Sequence, residues 1–252
     1  MSIELVLLLI GLFIVSILYS SVGHGGASGY LAIISLTSYG IMEPGWLKQH
    51  VWILNLLVAG IAFYHYYKEG YHNSKLTAPF IITSIPMAFI GGYMIINSNI
   101  YDILLSVALI WAAWRLFDSM AIREITEIKI PSKYESMSIG GGIGLLSGII
   151  GVGGGIFLSP IILLKKWADP KTVAATSAAF IWLNSFSGLI GAKMSNQLNL
   201  DLEMILYFSI VVLIGGFIGS SYGAKIAPQK RIKKILIIVL LIAATKRLFE
   251  LI

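Results

Sequence analysis

The sequence predicts an all-α integral membrane protein of two inverted-topology repeats, each of about five helical segments, with broken or re-entrant half-helices at two glycine clusters. Three observations predict it: an apolar composition, apolar runs long enough to cross a bilayer, and an internal duplication. Of 252 residues, 57% are hydrophobic and 12% charged. A soluble domain carries about 25% charge, so most of this chain must face lipid or other membrane helices. The absence of cysteine excludes a disulfide framework, thiolate metal sites and a cysteine nucleophile. With four histidines as the only soft ligands, no resident metal or other cofactor is expected. A net charge of +6 suggests nucleic acid in a soluble protein. In a membrane protein lysine and arginine mark the cytoplasmic face instead, so the expected partners are the lipid bilayer and a small solute, with no nucleic acid.

Taken in order, Ile3 to Val22 is the first long apolar run. It begins with Glu4 where a signal peptide has a basic region and is too long for a signal core, so it reads as a retained helix. Trp46 to Tyr67, Ala78 to Asn97, Ile100 to Phe117, Val173 to Ala192, Met204 to Tyr222 and Ile232 to Leu248 follow. Each is close to the roughly 20 residues that span about 30 Å of hydrocarbon. Ala27 to Tyr39, Ile139 to Ile150 and Gly155 to Leu164 are shorter and read as half-helices or re-entrant segments. Pro86 and Pro160 are expected to kink or end their helices.

The chain repeats itself. Gly23-His24-Gly25-Gly26 lies 128 positions before Gly151-Val152-Gly153-Gly154, as Phe89-Ile90-Gly91 does before Phe217-Ile218-Gly219. Asn55 precedes Asn184 by 129, each ending a Trp-x-x-Asn or Trp-x-Asn word, and Arg115-Leu116-Phe117 precedes Arg247-Leu248-Phe249 by 132. Two homologous halves account for this. The N-terminal repeat is 1–119, the charged linker 120–135 and the C-terminal repeat 136–252. The segment pair around each glycine cluster starts and ends on one side, so the remaining crossings invert the second half. Threaded this way, all of the 18 basic residues except Lys48, Lys193, Lys246 and Arg247 fall on one side, which the positive-inside rule makes cytoplasmic. The linker is then cytoplasmic and both termini non-cytoplasmic, in a multi-pass protein of the plasma or inner membrane.

Contiguous glycines break a helix, and broken backbone at membrane depth must line a cavity or be buried in protein. Close packing through small residues, the simpler reading, predicts glycines spaced by four. If both breaks reach the midplane, the segments starting near Ala27 and Gly155 present helix N-termini, each with about half a positive charge and unsatisfied N–H donors. Gly23, Gly25, Gly26, Gly151, Gly153, Gly154 and Gly155 then form a site for a small anion. Neither cluster is a nucleotide site, because no Lys-Ser or Lys-Thr follows and no strand precedes.

Gly151-Val152-Gly153-Gly154-Gly155-Ile156-Phe157-Leu158-Ser159-Pro160, its echo at Gly23, the opening Lys171-Thr172-Val173-Ala174-Ala175-Thr176-Ser177 and the duplication resemble the TauE/SafE sulfite exporter family of membrane permeases. The likeness covers essentially the whole chain. It implies transport of small sulfur-containing or organic anions, often outward, without an ATP-binding domain. The first glycine cluster departs from the commoner Gly-Gly-Gly form by carrying His24 and Ser28.

His24 can bind an anion when protonated or carry a proton, or it can simply bond a carbonyl that the break frees. Ser28, Thr176 and Ser177 offer hydroxyls, although such groups in membrane helices commonly bond their own backbone. Asn55 and Asn184, at matching depth, coordinate substrate or stitch a crossing to the broken segment. Lys48, His50 and Lys193 lie at helix ends and are expected to snorkel, with Lys48 or Lys193 an alternative anion vestibule. The tryptophans read as interface anchors or packing.

Gly26-Ala27-Ser28-Gly29 also matches the Gly-x-Ser-Gly word of rhomboid intramembrane serine proteases, with His50 or His65 as base. The repeat position of this word is held by Gly154-Gly155-Ile156-Phe157, which assigns the glycines to a duplicated element instead. The sequence therefore points to a secondary permease, not an enzyme, working by alternating access, with an anion channel or a rhomboid-like protease as alternatives. Backbone N–H groups read charge more than identity, so sulfite, thiosulfate, sulfonates and small carboxylates all fit. Direction, proton coupling and a homo-oligomeric state stay open.

Overall fold

The computed structural model describes residues 2–118, 129 and 131–226. Most of the charged linker and the run Ile232 to Leu248 lie outside the described residues. The described elements are α1 (Ile3–Ser20), α2 (Ala27–Ile34), a 3-10 turn (Ser38–Ile41), α3 (Pro44–Lys68), α4 (Ser74–Tyr93), α5 (Ser98–Asp118), α6 (Lys133–Ile150), α7 (Gly155–Leu164), α8 (Pro170–Met194) and α9 (Leu202–Lys225). No strand occurs among the described residues. Five of these helices, α1, α3, α4, α8 and α9, are long and apolar enough to cross a membrane.

Helix boundaries follow capping chemistry. Ser2, Asn73, Ser132, Asp169 and Asp201 each accept a backbone N–H at the start of α1, α4, α6, α8 and α9. The Ser132 cap corrects one expectation, since it lets the polar turn beginning at Lys133 join the apolar run from Ile139. The helix α6 thus reaches 18 residues and is not a half-helix. The Ala27 to Tyr39 run stops early because Ser35 and Thr37 donate side-chain hydrogen bonds to the carbonyls of Ala32 and Ile34. The segments α2 and α7 do stay short, at 8 and 10 residues. Pro86 and Pro160 both sit inside helices and end neither.

Packing is organised by exchange between the halves. The helix α4 packs on α6 and α8, and α9 packs correspondingly on α1 and α3, while α3 and α8 pack on each other. The glycines spaced by four prove to be those at these crossings. A β-carbon on Gly140, Gly144 or Gly148 of α6 would meet the backbone of Phe80, Ser84 or Ala88 of α4. On α9, Gly215, Gly219 and Gly223 meet α1 in the same way, at Phe13, Ile17 and Ser21. Small residues therefore bring these backbones together, and van der Waals contact holds them.

The long helices α3 and α8 form the centre. Both have 25 residues and begin with a proline at the first turn. Their register differs from that read in the sequence. Gly23 packs against Ala174, and Gly151, 128 positions later, packs against Lys48, which sets α3 and α8 in correspondence at a spacing of 126. At that spacing Asn55 corresponds to Ile181, and Asn184 lies about one turn farther along. The two asparagines therefore do not hold corresponding positions, although Asn55 bonds Ser185, the neighbour of Asn184.

Candidate functional site

The two helix breaks share left-handed glycines at two positions 128 residues apart, Gly23 with Gly151 and Gly26 with Gly154, and the second break adds a third at Gly153. At the first, Gly23 and Gly26 adopt φ of +74° and +105°; at the second, Gly151, Gly153 and Gly154 adopt +89°, +76° and +85°. Residues with a β-carbon rarely tolerate this region, so glycine permits the chain to leave one helix and start the next within a few residues. The carbonyls freed by the breaks are met by tyrosines from other helices. The Tyr66 hydroxyl donates to Ser21 O at 2.9 Å and the Tyr101 hydroxyl to Ile150 O at 3.2 Å. The N–H side is treated differently. The starts of α2 and α7, at Gly26 and Gly154, have no side-chain cap. These two N-termini leave donors and partial positive charge directed out of the helix.

The breaks meet at one side chain. A β-carbon on Gly25 would fall against Oδ1 of Asn55, and one on Gly153 would lie 2.8 Å from Nδ2 of the same amide. Ile181 flanks both glycines and also Gly155, so Asn55 from α3 and Ile181 from α8 occupy the space between the tips. Asn55 is fully buried and donates from Nδ2 to Ser185 Oγ at 3.2 Å, whereas its Oδ1 has no partner among the described residues. An amide that stitches α3 to α8 through one atom thus keeps the other unengaged at the tips, where a buried carbonyl ordinarily finds a donor.

A chain of hydrogen bonds crosses the break from the other side. His24 Nδ1 donates to Val22 O at 2.9 Å, which makes Nε2 of the neutral ring an acceptor. Ser159 Oγ, on α7, lies 3.0 Å from that nitrogen, and Ser177 Oγ, on α8, lies 2.7 Å from Ser159. All three residues are buried. Ser28 Oγ is 2.9 Å from the Tyr19 hydroxyl, and the Tyr30 hydroxyl beside Gly26 is buried without a partner among the described residues. At the positions 128 residues later, His24, Ser28 and Tyr30 are matched by the apolar Val152, Ile156 and Leu158.

The structure sets Gly25 and Gly153 against Asn55, with Ile181 beside both and beside Gly155, and links His24 to Ser177 through Ser159. Gly23 packs instead on Ala174, Gly26 on Tyr30, Gly151 on Lys48 and Gly154 on Phe180 and Ile143, and Ala27 and Ser28 begin α2, where Ser28 bonds Tyr19. The structure sets Thr176 apart, because its hydroxyl bonds Thr77 Oγ1 at 3.1 Å and stitches α8 to α4. Asn184 is buried with neither amide atom bonded among the described residues. Lys48 and His50 do not snorkel. Lys48 is 3% exposed, and His50 is wholly buried, donating from Nδ1 to Trp46 O at 2.7 Å and accepting Asp201 N–H at 3.1 Å. Lys193, by contrast, is exposed at a helix end, as expected. The serine–histidine pair of a rhomboid-like protease is absent from its expected place, since Ser28 bonds Tyr19, His50 bonds Trp46 and Asp201, and His65 bonds Ser220.

Ser159 and Ser185 were not singled out in the sequence. Ser159 stands inside the second glycine motif, and Ser185 directly follows Asn184. Only their placement on the break-facing sides of α7 and α8 distinguishes them from ordinary membrane serines.

The family described as sulfite exporter TauE/SafE matches residues 7–247. A probable membrane transporter protein of Sinorhizobium fredii is 32% identical over 99% of this chain and 100% of its own length. A probable membrane transporter protein of Methanocaldococcus jannaschii is 30% identical over 88% of each chain. Sulfite exporter TauE/SafE family protein 6 of Arabidopsis thaliana is 30% identical over 37% of this chain and 21% of its own. No solved structure matches.

Proposed function

The chain belongs to the TauE/SafE sulfite exporter family and is a multi-pass membrane transporter of that type, and on that premise we propose that it is a secondary permease for small anions, with sulfite and related organosulfur or sulfonate anions as its substrates. The observation that carries this reading is the convergence of two uncapped helix N-termini, one from each half, on the single buried amide of Asn55. Aligned peptide dipoles and spare N–H groups at α2 and α7 stabilise negative charge between them. Glycine at Gly25, Gly153 and Gly155 lets an anion approach the backbone itself.

The two repeats, 1–119 and 136–252, are inverted about this point and rock against each other to expose it to alternate sides. The exchange of packing partners between the halves supports that arrangement. In the conformation described, Asn55 and Ile181 sit between the tips, as an occluded carrier requires. The distribution of lysine and arginine supports a cytoplasmic linker at 120–135 and non-cytoplasmic termini.

The test is flux of a panel of labelled anions and size-matched cations into liposomes holding the purified protein. Saturable movement of sulfite or a sulfonate, with cations excluded, supports the permease. An immobile panel, or equal passage of both signs, overturns it.

A further inference from the structure

A second group of buried donors lies one to two turns from Asn55 along α3, on the same side of the helix. Lys48, Trp52 and Asn55 are spaced i, i+4 and i+7 and so share one face. Lys48 and Trp52 are 3% and 0% exposed. The Lys48 ammonium has a long contact of 3.4 Å to Met94 O, at the end of α4, and lies 5.6 Å from the centroid of the Trp52 ring. No carboxylate is within ion-pair reach of it among the described residues. The cationic anchor at the opposite end of the bundle behaves otherwise. Lys171, in the first turn of α8, donates to both Ala224 O at 2.8 Å and Tyr71 Oη at 3.0 Å and so ties α8 to the last turn of α9. The structural counterpart of Lys48 in the second half is Ala174, so the fold does not need a lysine at this position.

Two further donors are left over beside it. The Trp52 indole N–H is buried without a partner among the described residues, and so is the Asn184 side-chain amide. The indole packs on Gly188, where a β-carbon would lie 2.7 Å from Cζ2 and 2.9 Å from Cε2, the carbon bonded to this nitrogen. Gly188 and Asn184 are four residues apart on α8. Asn184 thus lies one turn along α8 from the contact with Trp52. A buried ammonium without an acid, a buried indole N–H and a buried amide N–H₂ together are costly unless something accepts from them.

We propose that Lys48, Trp52 and Asn184 form a second anion-binding station between α3 and α8, passed by the substrate on its way to or from the helix breaks. The ligand is a small oxyanion. One oxygen accepts from the ammonium, and the others accept from the indole and the amide, three donors of fixed direction where the breaks supply mainly backbone N–H. Lys48 packs by its Cα and Cβ on Gly151, so the station adjoins the second break directly. The inference rests on the permease reading for the direction of travel but not for the binding itself.

Equilibrium binding of radiolabelled sulfite to the purified full chain, at low ionic strength, tests it separately from transport. Lys48→Met is expected to weaken binding roughly tenfold or more, as loss of a buried charge-assisted hydrogen bond does. Lys48→Arg is expected to retain affinity within roughly threefold, and Trp52→Phe, which removes the N–H but keeps most of the ring, to weaken it several-fold. Gly153→Ala, which disturbs the breaks, is expected to stop flux while part of the sulfite binding remains sensitive to Lys48. If Lys48→Met does not fold, the Trp52→Phe and Lys48→Arg proteins carry the test. Unchanged affinity in Trp52→Phe together with unchanged affinity in Lys48→Met, or, where Lys48→Met does not fold, together with a loss of tenfold or more in Lys48→Arg, overturns the station. Absence of flux with Lys48-dependent binding intact overturns the permease and leaves the station standing.

Discussion

The Ser159 hydroxyl lies 3.0 Å from Nε2 of His24, a hydrogen bond between α7 and the segment that links α1 to α2. With Nδ1 donating to Val22 O, the ring accepts, and Ser177 completes the chain at 2.7 Å from Ser159.

It can be measured as a coupling. Ser159→Ala and His24→Leu are each expected to destabilise the protein by about 1–3 kcal/mol, since each leaves a buried polar partner unmet. The double variant should cost less than the two singly, by about 0.5 kcal/mol or more. Unfolding in detergent, followed for all four proteins, gives the cycle. Strict additivity would mean that the two residues do not act on each other.

Alanine at Gly153 must adopt a left-handed backbone, which costs about 1–2 kcal/mol, and its β-carbon crowds Asn55 and Ile181. Alanine at Gly25 crowds Asn55 without the backbone penalty. Both variants are expected to insert normally and to lose roughly tenfold or more of their anion flux, because the tips are forced apart. Flux at the native rate from both would remove the breaks from the pathway.

Two neighbouring glycines of α6 should respond in opposite ways. At Gly144 any side chain meets the backbone of Ser84, whereas at Gly142 nothing lies within 4 Å. Gly144→Leu is expected to abolish stable insertion. Gly142→Ala is expected to be neutral or to stabilise by about 0.5–1 kcal/mol through the helix propensity of alanine. Yield of monodisperse protein and its thermal midpoint discriminate the pair.

A fluorophosphonate probe is expected to leave Ser28 unlabelled, because its hydroxyl pairs with Tyr19, while His50 bonds Trp46 and Asp201 and His65 bonds Ser220. Labelling lost in Ser28→Ala would restore the protease reading.

Five of the long spans, α1, α3, α4, α8 and α9, and the two short segments after the glycine clusters were legible in the sequence, because lipid permits few alternatives to helices of fixed length and makes every break in them conspicuous. The extra turns of α6 were not, because they depend on a cap at Ser132 and not on hydropathy. Nor was the register of α3 against α8. The matching Asn words suggested a spacing of 129, while packing of Gly23 and Gly151 imposes 126 and sets Ile181 opposite Asn55. Lys48 looked like a snorkelling residue from its place near a helix end, and only its packing on Gly151 and the contact of its ammonium with Met94 O show it buried. Ser159 and Ser185 could not be told from other small polar residues until the tips were set face to face.

The chain contains no cysteine, so a single introduced thiol reports on the space between the tips. Ser185 is the position of choice, since its Oγ lies 3.2 Å from a β-carbon built on Gly153 and accepts from Asn55. The decisive measurement is the rate at which the thiol of Ser185→Cys forms a mixed disulfide with an anionic methanethiosulfonate in liposomes, releasing methanesulfinate, with and without an unreactive permeant sulfonate. Slowing of the reaction by the sulfonate, and not by a cation at equal ionic strength, is the result this account predicts. A rate indifferent to the sulfonate, in protein that still transports it, would contradict the placement of the anion between the two breaks.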